Sequence, residues 1–385
     1  MDTKKRVIVA LVAVIIVVGG YFLIKKRGPV KQININNVSQ NQGPLNQGDI
    51  SPISGLPCDN WNKRAVAVMQ PSDLQARPAA GFSEADMVVE MPAYTSSVTR
   101  LMGVYLCNLP KEIGAIRSSR HDYIALAAGL DAVFVHWGGS HFALDLLKNK
   151  IIDNIECLTY EGKYCFRWTR TGIMRIEDTG HVTSASVLQA MKDLGYRTEG
   201  KFSGYSHQAE VPIEERPNGG HLRAAFANPY DVTYDYDKES NSYFRTWNET
   251  ADTDRNNGQR IAPKNVVVIF AQSDQITTSQ NYIGQGLQDP WKNVEEIKKT
   301  GIESISGRYN NVQIGDPWYD SQDSGEAHYY FNGQEYSGTW KKDRSRLDSK
   351  LTFYDNSGKE VMFVPGQIWV EILEPGQNLK WTPGA

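Results

Sequence analysis

The chain has 385 residues, and its 41 basic and 44 acidic side chains leave a net charge of −3. This balance excludes a strongly basic protein, so the composition gives no reason to expect nucleic acid as a partner. After an N-terminal stretch of 55 residues, 330 remain. That is more than one hydrophobic core usually organises, and the length therefore predicts two domains.

The N-terminal segment predicts a membrane attachment. Residues 1–6 form a short tail, expected in the cytoplasm, and residues 7–24 are eighteen uncharged residues in a row. As a helix this run would span roughly 27 Å, close to the hydrocarbon thickness of a bilayer, and it ends in large residues rather than a cleavage site. The Lys/Arg counts on its two flanks are equal. Only the short tail and the cysteines therefore favour an extracytoplasmic chain. Residues 25–55, rich in Asn, Gln, Gly and Pro, predict a flexible linker.

The next segment, residues 56–209, alternates between apolar strands and amphipathic helices. Its pattern predicts strands at 65–70, 87–93, 97–107 and 132–137, and helices at about 118–128, 140–150 and 183–196. Such alternation is typical of an α/β layered domain. In these domains ligands bind beyond the strand ends, where loops lead into helix N-termini.

Four cysteines lie in this segment, and their spacing matches no zinc or redox motif. In an oxidising compartment an even number indicates disulfides, for which three connectivities exist. Cys157 and Cys165 flank a turn and are placed to close a hairpin, which leaves Cys58 to pair with Cys107. The alternative is four reduced cysteines in the core.

The start of the helix at 118–128 is unusually basic. Arg117, Arg120 and His121 lie where the helix end already carries a partial positive charge, so they are locally unfavourable unless an acidic group joins them. That group is either internal, such as Glu84 or Glu90, or a bound carboxylate or phosphate. Both interpretations remain open from the sequence.

Past a linker at 210–225, residues 226–376 predict a β-rich domain, and 377–385 form a tail. Asn332-Gly333 predicts the turn of a β-hairpin. Residues 291–299 predict one helix, and the acidic stretch 315–326 predicts a solvated turn. The tryptophans of this domain predict core packing, with stacking on glycan as the alternative. The expected fold is one transmembrane helix, an α/β N-terminal globular domain and a β-rich α+β C-terminal domain.

Catalysis and metal binding have weaker sequence support. His136 and His181 could act as general bases, but no serine lies in a nucleophile motif. His141 and Asp145 are four residues apart, a spacing that helix packing also explains. The sequence therefore predicts no metal site and no cofactor.

Long stretches resemble a known family, among them "NKRAVAVMQ", "EIGAIRSSRHDYIALAAGLDAVFVHWGG" and "LTFYDNSGKEVMFVPGQIWVEILEPG". They are similar to the YerB-like family of bacterial envelope proteins, known as domain of unknown function 3048, over about residues 57 to 375. The resemblance implies an anchored extracytoplasmic protein with two domains, and no established reaction. The family pattern falls on Arg77, Glu90, Arg100, Gly114, Arg117, Arg120, His136, Gly138, Gly139 and His181.

Two functions follow as expectations. The first is a membrane-anchored extracytoplasmic envelope protein that binds an acidic ligand or partner through an Arg/His cleft. Peptidoglycan or an envelope protein would be the partner, and the cleft would comprise Arg77, Glu90, Arg100, Arg117, Arg120, His136 and His181. The second is a cell-envelope hydrolase or transferase that uses His136 or His181.

Overall fold

The computed structural model describes residues 49–168, 175–276 and 310–385. The predicted tail 1–6, the predicted anchor 7–24, most of the predicted linker 25–55 and the helix predicted at 291–299 lie outside these residues. Within the described ranges, no helix is long and apolar enough to cross a membrane.

A ten-stranded mixed sheet carries strands from both predicted domains. In spatial order its strands are β19 (Thr352–Asp355), β18 (Gln334–Lys341), β17 (Ser324–Phe331), β14 (Asn265–Phe270), β21 (Ile368–Leu373), β2 (Met87–Pro92), β3 (Thr99–Tyr105), β1 (Val66–Pro71), β5 (Val133–His136) and β6 (Asn154–Glu156). The pairs β14–β21, β21–β2, β1–β5 and β5–β6 are parallel, and the others are antiparallel.

The other described strands form smaller sheets. The largest has five strands: β13 (Thr250–Ala251), β12 (Ser242–Trp247), β11 (Val232–Asp237), β10 (Gly220–Ala225) and β22 (Asn378–Pro383). A second joins β4 (Glu112–Gly114), β8 (Gly180–Thr183) and β7 (Phe166–Arg167). Two strand pairs complete the set, β15 (Ser273–Gln275) with β16 (Asn310–Val312) and β9 (Ser206–His207) with β20 (Met362–Phe363).

Helices are short. The described α-helices are α1 (His121–Gly129), α2 (His141–Lys148) and α3 (Ser184–Asp193). Single 3-10 turns occur at Leu74–Ala76, Phe82–Glu84, Ile176–Asp178 and Ile213–Glu215. The Thr183 side chain accepts a hydrogen bond from the Ser186 backbone N–H and caps the start of α3.

The large sheet is buried on both faces, as the alternating side chains of β1 show. Val66 and Val68 contribute to one hydrophobic core, whereas Ala67 and Met69 contribute to the other. All six residues of β1, and likewise all of β2 and β21, are buried. A strand covered on both faces reads in sequence as a continuous apolar run.

The predicted fold class is wrong. The described residues are mostly β, not an α/β domain followed by a separate β-rich α+β domain. The helices predicted in the first half exist, but β21 from the second half pairs directly with β2, and β14 pairs with the other edge of β21. Periodicity located individual helices and strands along the chain, but it does not specify which strands become neighbours.

Three local predictions are confirmed. Asn332 and Gly333 have positive φ values of 52° and 69° and join β17 to β18 as a hairpin. Disulfides link Cys58 to Cys107 and Cys157 to Cys165. The side chains of Trp247, Trp340 and Trp369 are almost completely buried, so these three belong to the core and are not available to glycan.

Candidate functional site

Several of the predicted arginines converge beside the end of β1. Arg100 is the register partner of Pro71, the last residue of that strand. The backbone N–H of Arg117 donates to the Met69 carbonyl, and Arg120 is the N-cap residue of α1. We call the group of Asp73, Arg100, Arg117, Arg120, Arg175 and Asp178 the arginine cluster.

One carboxylate oxygen stands at the meeting point of three guanidinium groups. Asp73 Oδ2 lies 3.6 Å from Arg100 Nη1, 3.5 Å from Arg117 Nη2 and 3.5 Å from Arg175 Nη2. These are ion-pair distances longer than good hydrogen bonds, and this oxygen accepts no hydrogen bond from the described residues. The three arginines are thus held together without being fully satisfied.

Asp178 supplies the second internal charge. Its Oδ2 accepts from Arg175 Nε at 2.7 Å, and its Oδ1 lies 3.6 Å from Arg117 Nε. The exposed carboxylate of Glu177 also lies 3.5 Å from Arg175. The internal partners are therefore not Glu84 or Glu90, the two that the sequence suggested.

Arg120 forms no ion pair with a carboxylate among the described residues. Its Nη1 donates to the Ser119 carbonyl at 2.9 Å, its guanidinium lies over the Tyr94 ring, and its Nε is buried without a hydrogen-bond partner among the described residues. Burial lowers the pKa of Arg120. Burial, with the charges of Arg117 and Arg120, lowers the pKa of Arg100 to about 10. For Arg100, the neighbouring charges of Arg117 and Arg120 add to the effect of burial, so positive charge is crowded around this residue.

One side of the arginine cluster reaches solvent. The Arg175 side chain is 41% exposed, while those of Arg117 and Asp73 are each 14% exposed. Leu74 and Ile176, the residues that follow Asp73 and Arg175, are 60% and 69% exposed. Guanidinium groups with adjacent exposed apolar side chains are features of a binding surface.

Two other predicted site residues lie in a separate buried network. Arg77 donates to Asp252 Oδ1 at 2.6 Å, and its guanidinium lies over the Trp247 ring. Glu90 is fully buried, bonded to Arg245, and accepts a hydrogen bond from Ser72 Oγ at 3.0 Å. These contacts are internal and give both residues a structural role.

His136 lies outside the arginine cluster. It is buried at the end of β5, with Nδ1 2.9 Å from the Gly138 carbonyl and 3.4 Å from Glu156 Oε2. Its Nε2 lies 3.2 Å from Asn154 Oδ1. Both ring nitrogens are therefore engaged by acceptors, as in a histidine that fixes loop geometry.

His181 also has a structural setting. Its ring stacks on Trp168 at 4.7 Å between centroids, and its Nε2 lies 3.7 Å from Glu112 Oε2. Burial lowers the pKa of His181. Ser140 caps α2 and Ser118 donates to the Trp137 carbonyl, so neither hydroxyl is paired with a predicted base.

The structure contains a second cluster of polar side chains, which the sequence pattern did not predict. His121, Asp122, Asn311, Asp316 and Asp320 lie together, each at most 6% exposed, and we call them the buried acidic cluster. Burial first, and the nearby Asp316, raise the pKa of Asp122 to about 6. The prediction of a solvated turn at 315–326 is thus wrong for Asp316 and Asp320. An adjacent His-Asp pair at a helix start was the available signal.

Comparisons with known proteins place the chain among proteins without an assigned activity. Residues 53–197 match the family model described as "Protein of unknown function (DUF3048) N-terminal domain". Residues 222–290 and 291–370 match the corresponding C-terminal domain model. The resemblance seen in the sequence is confirmed.

One protein of Bacillus subtilis appears in both remaining comparisons. The chain is 24% identical over 330 residues to the protein of strain 168 named "Putative lipoprotein YerB", covering 84% of this chain and 86% of that one. The crystal structure of YerB protein from Bacillus subtilis has a TM-score of 0.67 at 21% identity, covering 86% of this chain and 99% of that one. The latter likeness shows a shared fold.

Proposed function

The chain belongs to the DUF3048 family, and from that premise we propose that it is a membrane-attached extracytoplasmic protein that binds an acidic ligand through its arginine cluster. The ligand is a carboxylate or phosphate group of a cell-wall component or of an envelope protein. Arg100, Arg117, Arg120 and Arg175 supply the binding charge, whereas Arg77, Glu90, His136 and His181 support the fold.

The observation that carries this proposal is the sharing of Asp73 by three guanidinium groups. Within ion-pair distance the four arginines have three carboxylates, of which Glu177 is exposed, so positive charge exceeds negative charge at that distance. An arriving anion adds the charge-assisted hydrogen bonds that the 3.5–3.6 Å contacts to Asp73 do not provide. It also offers a hydrogen-bond acceptor to Arg120 Nε, which has none among the described residues.

Three features support the proposed subcellular location. Two disulfides fit an oxidising compartment. The Bacillus subtilis relative carries a lipoprotein name. The finer proposal, a single attachment through the apolar segment 7–24, rests on the sequence.

Co-sedimentation with purified peptidoglycan tests the proposal, with inorganic phosphate as a soluble competitor. We expect Arg117→Ala and Arg120→Ala each to weaken retention about 10-fold or more, because a charged hydrogen bond contributes roughly 1.5–3 kcal/mol. The matched control is Arg223→Ala, which removes the same charge from an exposed pair with Asp231. It should sediment like the parent.

Melting curves of each variant separate binding from folding. Equal retention of the parent and both cluster variants would refute the assignment. Loss of the folded state in Arg117→Ala and Arg120→Ala would instead show that the cluster is an internal salt-bridge network.

A further inference from the structure

The buried acidic cluster brings potential metal ligands together from two distant parts of the chain. His121 and Asp122 open helix α1, whereas Asn311 lies in β16 and Asp316 in the loop that follows. His121, Asp122 and Asp316 each direct one ligand atom to a common point, and these atoms lie within 4.8 Å of one another. All three residues are at most 2% exposed.

The separations suit a small divalent ion. His121 Nε2 lies 3.4 Å from Asp122 Oδ1 and 3.7 Å from Asp316 Oδ2. Ligands about 2.0–2.2 Å from a tetrahedral metal are roughly 3.4 Å apart, so a modest contraction would complete the coordination. Asn311 Oδ1 lies 2.7 Å from the same imidazole nitrogen, a hydrogen-bond distance. In the metal-bound form the imidazole proton would lie on Nδ1, and a small outward shift would let the amide oxygen serve as a fourth donor.

Neighbouring hydrogen bonds orient these donors. Asn311 Nδ2 donates to Asp320 Oδ1 at 3.0 Å, which turns the amide oxygen toward His121. The backbone N–H of Val312 holds Asp122 Oδ1 at 2.8 Å, and the backbone N–H groups of Trp318 and Tyr319 hold Asp316 Oδ1. Such supporting contacts are characteristic of metal sites.

The second oxygen of Asp316 is the observation that points to a ligand. Asp316 is fully buried, and its Oδ2 accepts no hydrogen bond from the described residues although it faces His121. A buried carboxylate oxygen without a partner is costly. The nearby ammonium of Lys342 does not supply the bond, because it donates to Ser349 Oγ at 2.9 Å and to the Leu347 carbonyl.

We propose that His121, Asp122, Asn311 and Asp316 bind one divalent transition-metal ion, of the Zn²⁺ or Mn²⁺ type. One imidazole with carboxylate and carbonyl oxygens suits these ions better than Ca²⁺ or Mg²⁺, which take oxygen ligands. The ion fastens the start of α1 to the segment after β16, a link between residues 190 positions apart. Its role is structural and differs from the ligand-binding role of the arginine cluster, which it adjoins through the consecutive residues Arg120 and His121.

Metal content and thermal stability test the site on the whole chain. The protein is stripped with EDTA, dialysed and reloaded separately with Zn²⁺, Mn²⁺, Mg²⁺ or Ca²⁺. We expect one tightly held Zn²⁺ or Mn²⁺ per chain, and a rise in Tm of about 4 °C at a free concentration of 100 times Kd. Mg²⁺ and Ca²⁺ should give a smaller shift at the same concentration.

Variants identify the ligands. Asp316→Asn should abolish stoichiometric retention while keeping the fold, because it removes a buried charge. His328→Ala is the control, since it removes a partly exposed imidazole that lies between the carboxylates of Glu326 and Glu335. It should retain the metal in full.

Two results would overturn the proposal: a reloaded parent that holds no stoichiometric metal, or an Asp316→Asn variant that binds like the parent. If Asp316→Asn does not fold, the visible spectrum of the Co²⁺-loaded parent decides. A spectrum with mixed nitrogen and oxygen ligation that persists in His328→Ala supports the buried site. A spectrum lost in that variant places the metal at the surface and refutes it.

Discussion

Glu90 and Glu371 are register partners on the neighbouring parallel strands β2 and β21, and both side chains are fully buried. Arg245 joins them, forming a charged hydrogen bond with Glu90 and lying 3.7 Å from Glu371 Oε1. Tyr234 donates its hydroxyl to the same Glu371 oxygen. Burial and the adjacent Glu90 raise the pKa of Glu371 to about 8, against the opposing effect of Arg245.

We predict that Glu371→Gln removes a pH dependence of stability. A raised carboxyl pKa means that the folded state binds the proton more tightly, so the free energy of unfolding falls as pH rises from about 4.5 to about 8. The full shift corresponds to at most about 5 kcal/mol. Glutamine does not titrate, so the variant should match the parent near pH 4.5 and exceed it above pH 8.

Urea unfolding of both proteins across this range measures the effect. The difference between parent and variant is the useful quantity, because contributions from other titrating groups cancel. A constant difference at every pH would show that the pKa of Glu371 is the same in the folded and unfolded protein.

Arg245 is predicted to be the most costly arginine to remove. It is fully buried and bonded to both Glu90 and Asp252, so Arg245→Met leaves two buried carboxylates with reduced compensation. Removing one partner of a buried ion pair costs about 3–5 kcal/mol in the free energy of unfolding. Arg223→Met, in the exposed pair with Asp231, should cost less than about 1 kcal/mol. Similar losses in urea unfolding would contradict the assignment.

Local structure was largely predictable from the sequence. Helices α1, α2 and α3 and strands β1, β2 and β3 lie close to their predicted positions, because capping residues and apolar periodicity act over a few residues. The insertion of β21 beside β2 was not predictable. Both strands are continuous apolar runs, and such runs do not encode their partners.

The candidate sites, like the fold, were only partly predictable from the sequence. Arg117 and Arg120 were identified because basic residues near a helix start conflict with the helix dipole, whereas Arg100 was identified only through the family resemblance. Their partner Asp73 lies on a loop with no such pattern. The sequence around Asp316 predicts a solvated loop. Only the tertiary fold shows that the Asp316 carboxylate faces His121.

The two disulfides should contribute unequally to stability. Cys58 and Cys107 are 49 residues apart, whereas Cys157 and Cys165 are only 8 apart. Loop-closure entropy then predicts a stabilisation of about 4 kcal/mol for the first and about 2.5 kcal/mol for the second. Paired Cys→Ala variants, compared by urea unfolding under non-reducing conditions, measure both. A larger loss for the short loop would indicate that native contacts outweigh chain entropy.

Replacing Arg120 or Arg77 with methionine should distinguish an arginine that binds the ligand from one that stabilises the fold. Arg120 is buried without a carboxylate partner among the described residues, so Arg120→Met should raise the free energy of unfolding by about 1 kcal/mol while weakening ligand retention. Arg77 is paired with Asp252, and Arg77→Met should lower the free energy of unfolding by about 2 kcal/mol. Urea unfolding and co-sedimentation with peptidoglycan measure the two properties on the same samples. A residue kept for an external anion is expected to lower the stability of the unliganded protein, so its removal should stabilise the fold. If Arg120→Met instead lowers the free energy of unfolding, the Arg120 charge stabilises the fold.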